Sequence, residues 1–291
     1  MLLRNLNIST GALQAGCELC LLGKKMTLFI TGLCPNRCYY CPVSAEKMWK
    51  DKIYANERPV STIADVYREI RESGATGTAI TGGEPLMVVD RVAQYVKGIK
   101  GVFGSNHHIH LYSGFPYLKR ENAHKLFQAG LDEVRFHIIA TKGVEDSIRV
   151  ASEFSWRVGV EIPALPDLDY LEIAKTARES GAKFMILDEY EVNEENYFAT
   201  TMRQKGHREL LSVSQNHIQD IVKKISLVIP VHYCTVRSKY LIQYRNRLVN
   251  SFRAKKITNA VLLDDGSTLK KVGRSSVRFL PVFGTPVYED L

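Results

Sequence analysis

Between Thr27 and Glu191 the chain alternates short runs of β-forming residues with amphipathic segments, and this rhythm constrains the fold more than any other feature of the sequence. The β-rich runs are Thr27–Thr31 (TLFIT), Thr78–Thr81 (TAIT), His108–Ser113 (HIHLYS), Glu133–Ile138 (EVRFHI), Val158–Pro163 (VGVEIP) and Phe184–Glu191 (FMILDEYE). Between them apolar residues recur at helical spacing, as in Ile63, Val66, Tyr67 and Ile70 before Gly74, or Leu171, Ile173, Ala174 and Ala177 before Gly181. Those glycines, with Gly98 and Gly130, are expected to end the helices. Strand and helix in strict alternation predict parallel βα units, in which the polar residues at the strand ends build the site. Six units fall short of the usual closed eight.

A chain of 291 residues with 45% hydrophobic content fills a large core, and 20 Gly plus 10 Pro are too few for a disordered or collagenous protein. No apolar run reaches transmembrane length and Met1–Thr10 has no signal-peptide pattern, so a soluble, cytoplasmic protein is expected, with no membrane partner. Charge is uneven. Residues 1–200 carry 23 basic and 25 acidic side chains, whereas residues 201–291 carry 16 and 6. After Glu191 the rhythm stops, and the polar stretch Asn193–Gly206 marks the expected boundary. We expect an N-terminal segment 1–25, a barrel domain 26–195 and a basic α+β extension 196–291. The extension reads as a helix near His207–Lys224, a strand Ile225–Tyr233, a basic helix Ser238–Ala254, an Asp265-Gly266 hairpin running into Thr268–Val272, and a last strand Val277–Phe283.

Five of the six cysteines fall at positions 17, 20, 34, 38 and 41, which suits metal binding in a reducing compartment better than a disulfide scaffold. Cys34, Cys38 and Cys41 directly follow the first strand. Three thiolates leave a zinc ion, or one iron of an iron–sulfur cube, with an open position. Strand two ends in Thr81-Gly82-Gly83-Glu84-Pro85, where two glycines admit a ligand close to the backbone and a carboxylate can accept from an ammonium group.

Cys34-x3-Cys38-x2-Cys41, with Tyr40 before the third cysteine, resembles the signature of radical S-adenosylmethionine (SAM) enzymes. The resemblance covers roughly residues 26–191. It implies a partial (β/α)6 TIM-like barrel, matching the strand count, and a [4Fe-4S] cluster on Cys34, Cys38 and Cys41 whose free iron takes the amino and carboxylate groups of SAM. It places Tyr40 near the adenine and Gly82, Gly83 and Glu84 at the SAM amino group. It makes Ser113 a candidate for the ribose or the methionine carboxylate, Arg135 for that carboxylate, and Glu161 a candidate substrate contact. The fifth-strand glycine pattern of the family is only partly echoed in Val158–Pro163, whose second glycine is missing. The wording of Tyr54–Val60 (YANERPV) and Glu133–His137 (EVRFH) looks like archaeal radical SAM proteins related to pyruvate formate-lyase activating enzyme.

Cys17-x2-Cys20 and His232-x-Cys234 add up to the arithmetic of a closed tetrahedral site, for zinc or an auxiliary iron–sulfur centre. In the basic third, Arg245 and Arg247 lie among tyrosines in a pattern that suits RNA. The sequence therefore predicts a radical SAM enzyme that takes an electron from a donor such as ferredoxin or flavodoxin and abstracts hydrogen from an unidentified substrate, RNA being one candidate. A protein-modifying or glycyl-radical-activating enzyme is the first alternative. A non-catalytic zinc-stabilised RNA-binding protein is the second.

Overall fold

All six expected runs form parallel strands in the computed structural model, which describes residues 2–4, 6–203, 215–272, 275–279 and 286–287. They are β1 (Lys25–Phe29), β2 (Gly77–Thr81), β3 (His108–Ser113), β4 (Glu133–Phe136), β5 (Arg157–Ala164) and β6 (Met185–Glu189), paired in chain order. The crossover helices are α2 (Ile63–Ser73), α3 (Val89–Phe103), α4 (Arg120–Ala129), α5 (Val144–Ser152) and α6 (Tyr170–Glu179), and a short α1 (Ala15–Leu21) precedes β1. The sequence explains the helix limits locally. Asp65 accepts from the Thr62 N–H to start α2, and Gly74 ends it at φ 65°. Gly98 is not a stop: α3 runs on to Gly104, and a Cβ on Gly98 would lie 2.5 Å from the Tyr67 hydroxyl, so this glycine lets α2 and α3 approach closely.

The parallel sheet does not end at the boundary expected at 195. A seventh strand, β7 (Val231–Cys234), pairs parallel with β6, placing Cys234 opposite Asp188. The expected strand Ile225–Tyr233 is corrected accordingly, because Ile225 belongs to helix α7 (Gln215–Ser226). Ile218, Val222 and Ile225 are buried at helical spacing, and only after Pro230 does the chain turn extended. Residues 207–214 of the expected helix lie outside the described residues. The N-terminal segment is also part of the sheet: Asn7–Ser9 runs antiparallel to β7 and to Leu2–Arg4. At the other edge, Tyr54–Ala55 runs antiparallel to β1 and to Arg58–Pro59.

The basic helix begins with a π-helical stretch, Lys239–Tyr244, and continues as α8 (Arg245–Ala254). It travels the height of the barrel. Lys239 and Tyr240 stand with the strand ends, whereas Asn246 and Asn250 donate to the carbonyls of Leu21 and Leu22 just before β1 (both 2.8 Å). The Asp265-Gly266 turn is present, with Gly266 at φ 87° and Val261–Leu262 antiparallel to Thr268–Val272. Ser275–Phe279 and Pro286–Val287 complete that separate four-stranded sheet, and residues 280–283 of the expected last strand lie outside the described residues. Among the described residues no helix is long and apolar enough to cross a membrane.

Candidate active site

A cavity of about 730 Å³ opens at the carboxyl ends of the parallel strands, and it collects residues that the sequence scatters over more than 200 positions. Cys34, Cys38, Cys41 and Tyr40 line it, and so do Gly82, Gly83 and Glu84, Ser113, and Glu161. The glycine pair shapes the root of the cysteine loop. Gly83 N–H donates to the Thr31 carbonyl (2.7 Å) and Glu84 N–H to the Leu33 carbonyl (2.6 Å), while a Cβ on Gly83 would sit 2.3 Å from that Leu33 oxygen. On its other side the root is tied by Gly32 N–H to the Lys50 carbonyl (2.9 Å) and Trp49 N–H to the Gly32 carbonyl (2.7 Å).

Burial pushes the Cys34 thiol up to about 11 and raises Cys38 and Cys41 as well. A bound cationic centre reverses that balance, because a coordinating thiol is deprotonated. Among the described residues no three His, Cys, Asp or Glu side chains surround a point that a single metal ion would fill. The donor set fits a larger group: three free thiols of one loop line the wall of one open cavity, and an iron–sulfur cube spreads its thiolates farther apart than one ion does.

Glu84 is 1% exposed and accepts from Ser113 Oγ (2.8 Å), Gly114 N–H (2.8 Å) and Leu86 N–H (3.0 Å). Burial raises it to about 7 against the opposing pull of these three donors. Its carboxylate therefore joins the ends of β2 and β3, with Ser113 as its immediate partner. Tyr40 is fixed from below. The ring nitrogen Nδ1 of His137 is 3.1 Å from the Glu161 carbonyl, which can only accept, so Nδ1 carries the proton and Nε2 accepts from the Tyr40 hydroxyl (2.9 Å). Burial lowers His137, which keeps the ring neutral.

Three of the expected placements are corrected. Arg135 does not line the cavity. It is 2% exposed inside the barrel, where Nε donates to Glu133 and Nη1 to Glu161 Oε2 (2.7 Å), so its charge is already committed to two carboxylates. Cys17, Cys20, His232 and Cys234 do not converge on one point either. Cys17 packs against Phe184 and Ile186 inside the barrel, and His232 Nδ1 is 2.7 Å from Ser9 Oγ. Cys20 donates to Gln243 Oε1 (2.7 Å) while Gln243 Nε2 donates to Cys234 (3.3 Å), so an amide stands between these two thiols. Arg245 donates to the Asp264 carbonyl, and the Arg247 backbone abuts Gly23; both lie at the strand-start end, opposite the cavity.

His137, Asp188 and Lys239 line the cavity without having been singled out as site residues. The first two were legible as polar strand-end positions in phase with Arg135 and Glu161; Lys239 was one cation among many. Burial, then Asp188, raises Glu161 to about 7; Asp188 itself is held below the carboxylate norm, burial being outweighed by Lys239 and by the bond to Glu161. Glu161 is therefore the more basic of this facing pair.

A parallel partial barrel with its site at the strand ends and a three-thiol loop over that site defines an α/β barrel enzyme built for cluster chemistry. The Radical SAM superfamily matches residues 28–187. A Methanocaldococcus jannaschii protein described as a candidate glycyl-radical enzyme activating enzyme is 35% identical over 278 residues, 89% of this chain and 73% of its own. The chain belongs to the radical SAM superfamily and is a radical SAM enzyme related to activating enzymes; the superfamily uses a [4Fe-4S] cluster and SAM. Among solved structures it resembles methylornithine synthase PylB (TM-score 0.50, 12% identity, 75% of this chain and 72% of that one). It also resembles Streptococcus suis SuiB bound to S-adenosylmethionine (TM-score 0.51, 10% identity, 73% of this chain and 50% of that one). Both likenesses speak for the fold.

Proposed function

We propose that the protein activates a glycyl-radical enzyme, with the glycine Cα–H of a protein segment as the bond attacked. The observation that carries this reading is the 35% identity over 89% of the chain to the M. jannaschii relative. Cys34, Cys38 and Cys41 would hold three irons of the cluster, leaving the fourth for SAM. Glu84, Gly82 and Gly83 would receive the methionine end, and Tyr40 the adenine. When bound and reduced by one electron, cluster and SAM supply methionine and a 5′-deoxyadenosyl radical that removes hydrogen from substrate. The chain's own work is positioning. Ser113 and Gly114 aim Glu84, and His137 aims Tyr40. Glu161, Asp188 and Lys239 line the same cavity and would offer polar contacts to a substrate there.

An RNA substrate is the rival reading, resting on the basic final third. Several of those cations are already engaged: Lys239 with Asp188 (3.4 Å) and Glu191 (2.8 Å), Lys255 with Glu72 (3.9 Å), and Arg278 with Asp265. Arg245 and Arg247 face the wrong end of the barrel for a phosphate backbone entering the cavity. These points favour the protein substrate.

The test is anaerobic incubation of reconstituted protein with SAM, dithionite and a purified glycyl-radical enzyme of the same organism. Formation of 5′-deoxyadenosine, methionine and a glycyl radical signal in electron paramagnetic resonance is expected, and Cys38→Ala should abolish all three with the loss of iron. S-adenosylhomocysteine without 5′-deoxyadenosine would refute the chemistry. 5′-Deoxyadenosine with RNA but never a glycyl radical would refute the substrate.

A further inference from the structure

Backbone strain and exposure meet at Trp49 in the wall of the cavity. Five non-glycine residues among the described ones have a positive φ, and of these Trp49 alone lines the cavity, at φ 60°. A bulky side chain crowds its own backbone in that conformation, and glycine or asparagine would adopt the same turn at less cost. The turn is imposed from outside. Trp49 N–H donates to the Gly32 carbonyl (2.7 Å) and Gly32 N–H to the Lys50 carbonyl (2.9 Å), which ties residue 49 to the chain leaving β1. The indole adds little to the fold: Trp49 is 57% exposed, and among the described residues no hydrogen bond or ring contact holds the side chain. Strain of this kind persists where a site uses the side chain it displays.

A second ring is displayed from the other side. Tyr240 lines the cavity at 61% exposure, again with no hydrogen bond or ring contact among the described residues. Its neighbour Lys239 is fixed by Asp188 and Glu191, so the backbone carrying the ring is anchored to the end of β6. Trp49 follows β1 and Tyr240 follows β7, the first and last strands of the parallel run. The chain after β1 and the chain after β6 meet beside the cavity, where Ala45 N–H donates to Glu195 Oε2 (3.2 Å). Two rigid rings on anchored backbone supply contact area at small entropic cost. We propose that Trp49 and Tyr240 grip the substrate polypeptide on either side of the reacting glycine, and that the strain at Trp49 is kept for this contact. The role rests on the glycyl-radical reading above. Stacked RNA bases would also suit exposed rings, but Glu84, Glu161, Asp188, Glu189 and Glu191 line the cavity against two cations, which disfavours a phosphate backbone.

The chain has two tryptophans, and the other, Trp156, is buried and donates to the Ala151 carbonyl. Trp156→Phe therefore leaves Trp49 as the sole indole reporter; should that variant not fold, the difference between parent and Trp49→Asn spectra carries the same signal. Titration of the reconstituted protein with a purified glycyl-radical enzyme of the same organism should shift the Trp49 emission to the blue. Trp49→Asn should raise KM for that partner on the order of tenfold, with most of the loss in KM rather than kcat, and Trp49→Phe should recover part of it. Tyr240→Ala should act in the same way, and Tyr240→Phe should resemble the parent. The strain has a readout that needs no partner: Trp49→Asn should raise the melting temperature by about 1–3 °C, with iron content at the parent level. A melting temperature that falls would show that the indole is held for folding and would overturn the proposal, as would an emission unmoved by a partner that becomes activated. A shift with single-stranded RNA and none with the protein would overturn the polypeptide as occupant. 5′-Deoxyadenosine formed without a glycyl radical in the partner would refute the glycyl-radical reading instead.

Discussion

Glu84 shows how a single buried carboxylate can do what a motif only names. Its oxygens collect the Ser113 hydroxyl and two backbone N–H groups, so Glu84→Ala strips three donors of their acceptor at the lip of the cavity. Hydrogen bonds to a charged group contribute about 1.5–3 kcal/mol each, so even partial loss of this arrangement should raise the SAM dissociation constant about tenfold or more, with iron content unchanged. Equilibrium binding of SAM and iron analysis of the same preparation check this. Glu161 makes a pH prediction. Its folded value of about 7 lies above the ordinary 4.5, so its favourable contribution is complete below 4.5 and is lost as pH rises through about 7. Glu161→Gln keeps an acceptor for Arg135 and a donor for Asp188 yet cannot ionise. The buried histidines slope the other way, having values lowered by burial, so the informative quantity is the difference between variant and parent. That difference in melting temperature should grow in favour of Glu161→Gln from pH 4.5 to 7; a constant offset would show that Glu161 is ionised throughout.

At the level of elements, the cysteine loop is positioned by backbone contact with the end of β2, and glycine is required where the two chains touch. Gly83→Ala would press a methyl group against the Leu33 and Gly32 carbonyls at 2.3 and 2.7 Å, backbone atoms that cannot swing aside. Such overpacking costs about 1–3 kcal/mol, and here it displaces the root of the loop, so the variant should bind less iron. Gly101→Ala is the control: its Cβ meets nothing within 4 Å, and inside α3 it should stabilise by about 0.5–1 kcal/mol. Equal iron loss in both variants would contradict the contact argument. The same elements show what sequence can tell. β1 to β6 and the cavity triplet were legible because alternation and cysteine spacing are local signals. β7 was legible only as part of the run Ile225–Tyr233, read too long because Ile225 of the preceding buried helix extends the apolar run, and its place beside β6 comes from pairing that no local pattern carries. Arg135 was misplaced for a related reason: period-two spacing assigns a face, but depth along the barrel axis is set by tertiary packing against Glu133 and Glu161.

The whole molecule is held together across its two ends by hydrogen bonds, where the spacing of Cys17, Cys20, His232 and Cys234 suggested a shared ion. Asn7–Ser9 pairs with β7, Asn7 Nδ2 donates to Ser238 Oγ (2.9 Å), and Asn246 and Asn250 close the carbonyls left open where α1 ends. Gln243 joins Cys20 to Cys234 at mid-height. A clamp of this kind has a distinct signature, since a helix C-terminus leaves carbonyls that must find donors, and removing a donor costs about 1 kcal/mol per bond. Asn246→Ala with Asn250→Ala should then cost about 2 kcal/mol, and the amides of 245–254 should exchange roughly 30-fold faster while β1 to β6 keep their protection. Cys17→Ala and Cys20→Ala should leave the zinc and iron content of a protein lacking Cys34, Cys38 and Cys41 unchanged, and a chelator should not quicken exchange in 245–254. Were the chelator to release this helix while the asparagine variants left it protected, the ends would be joined by a metal after all.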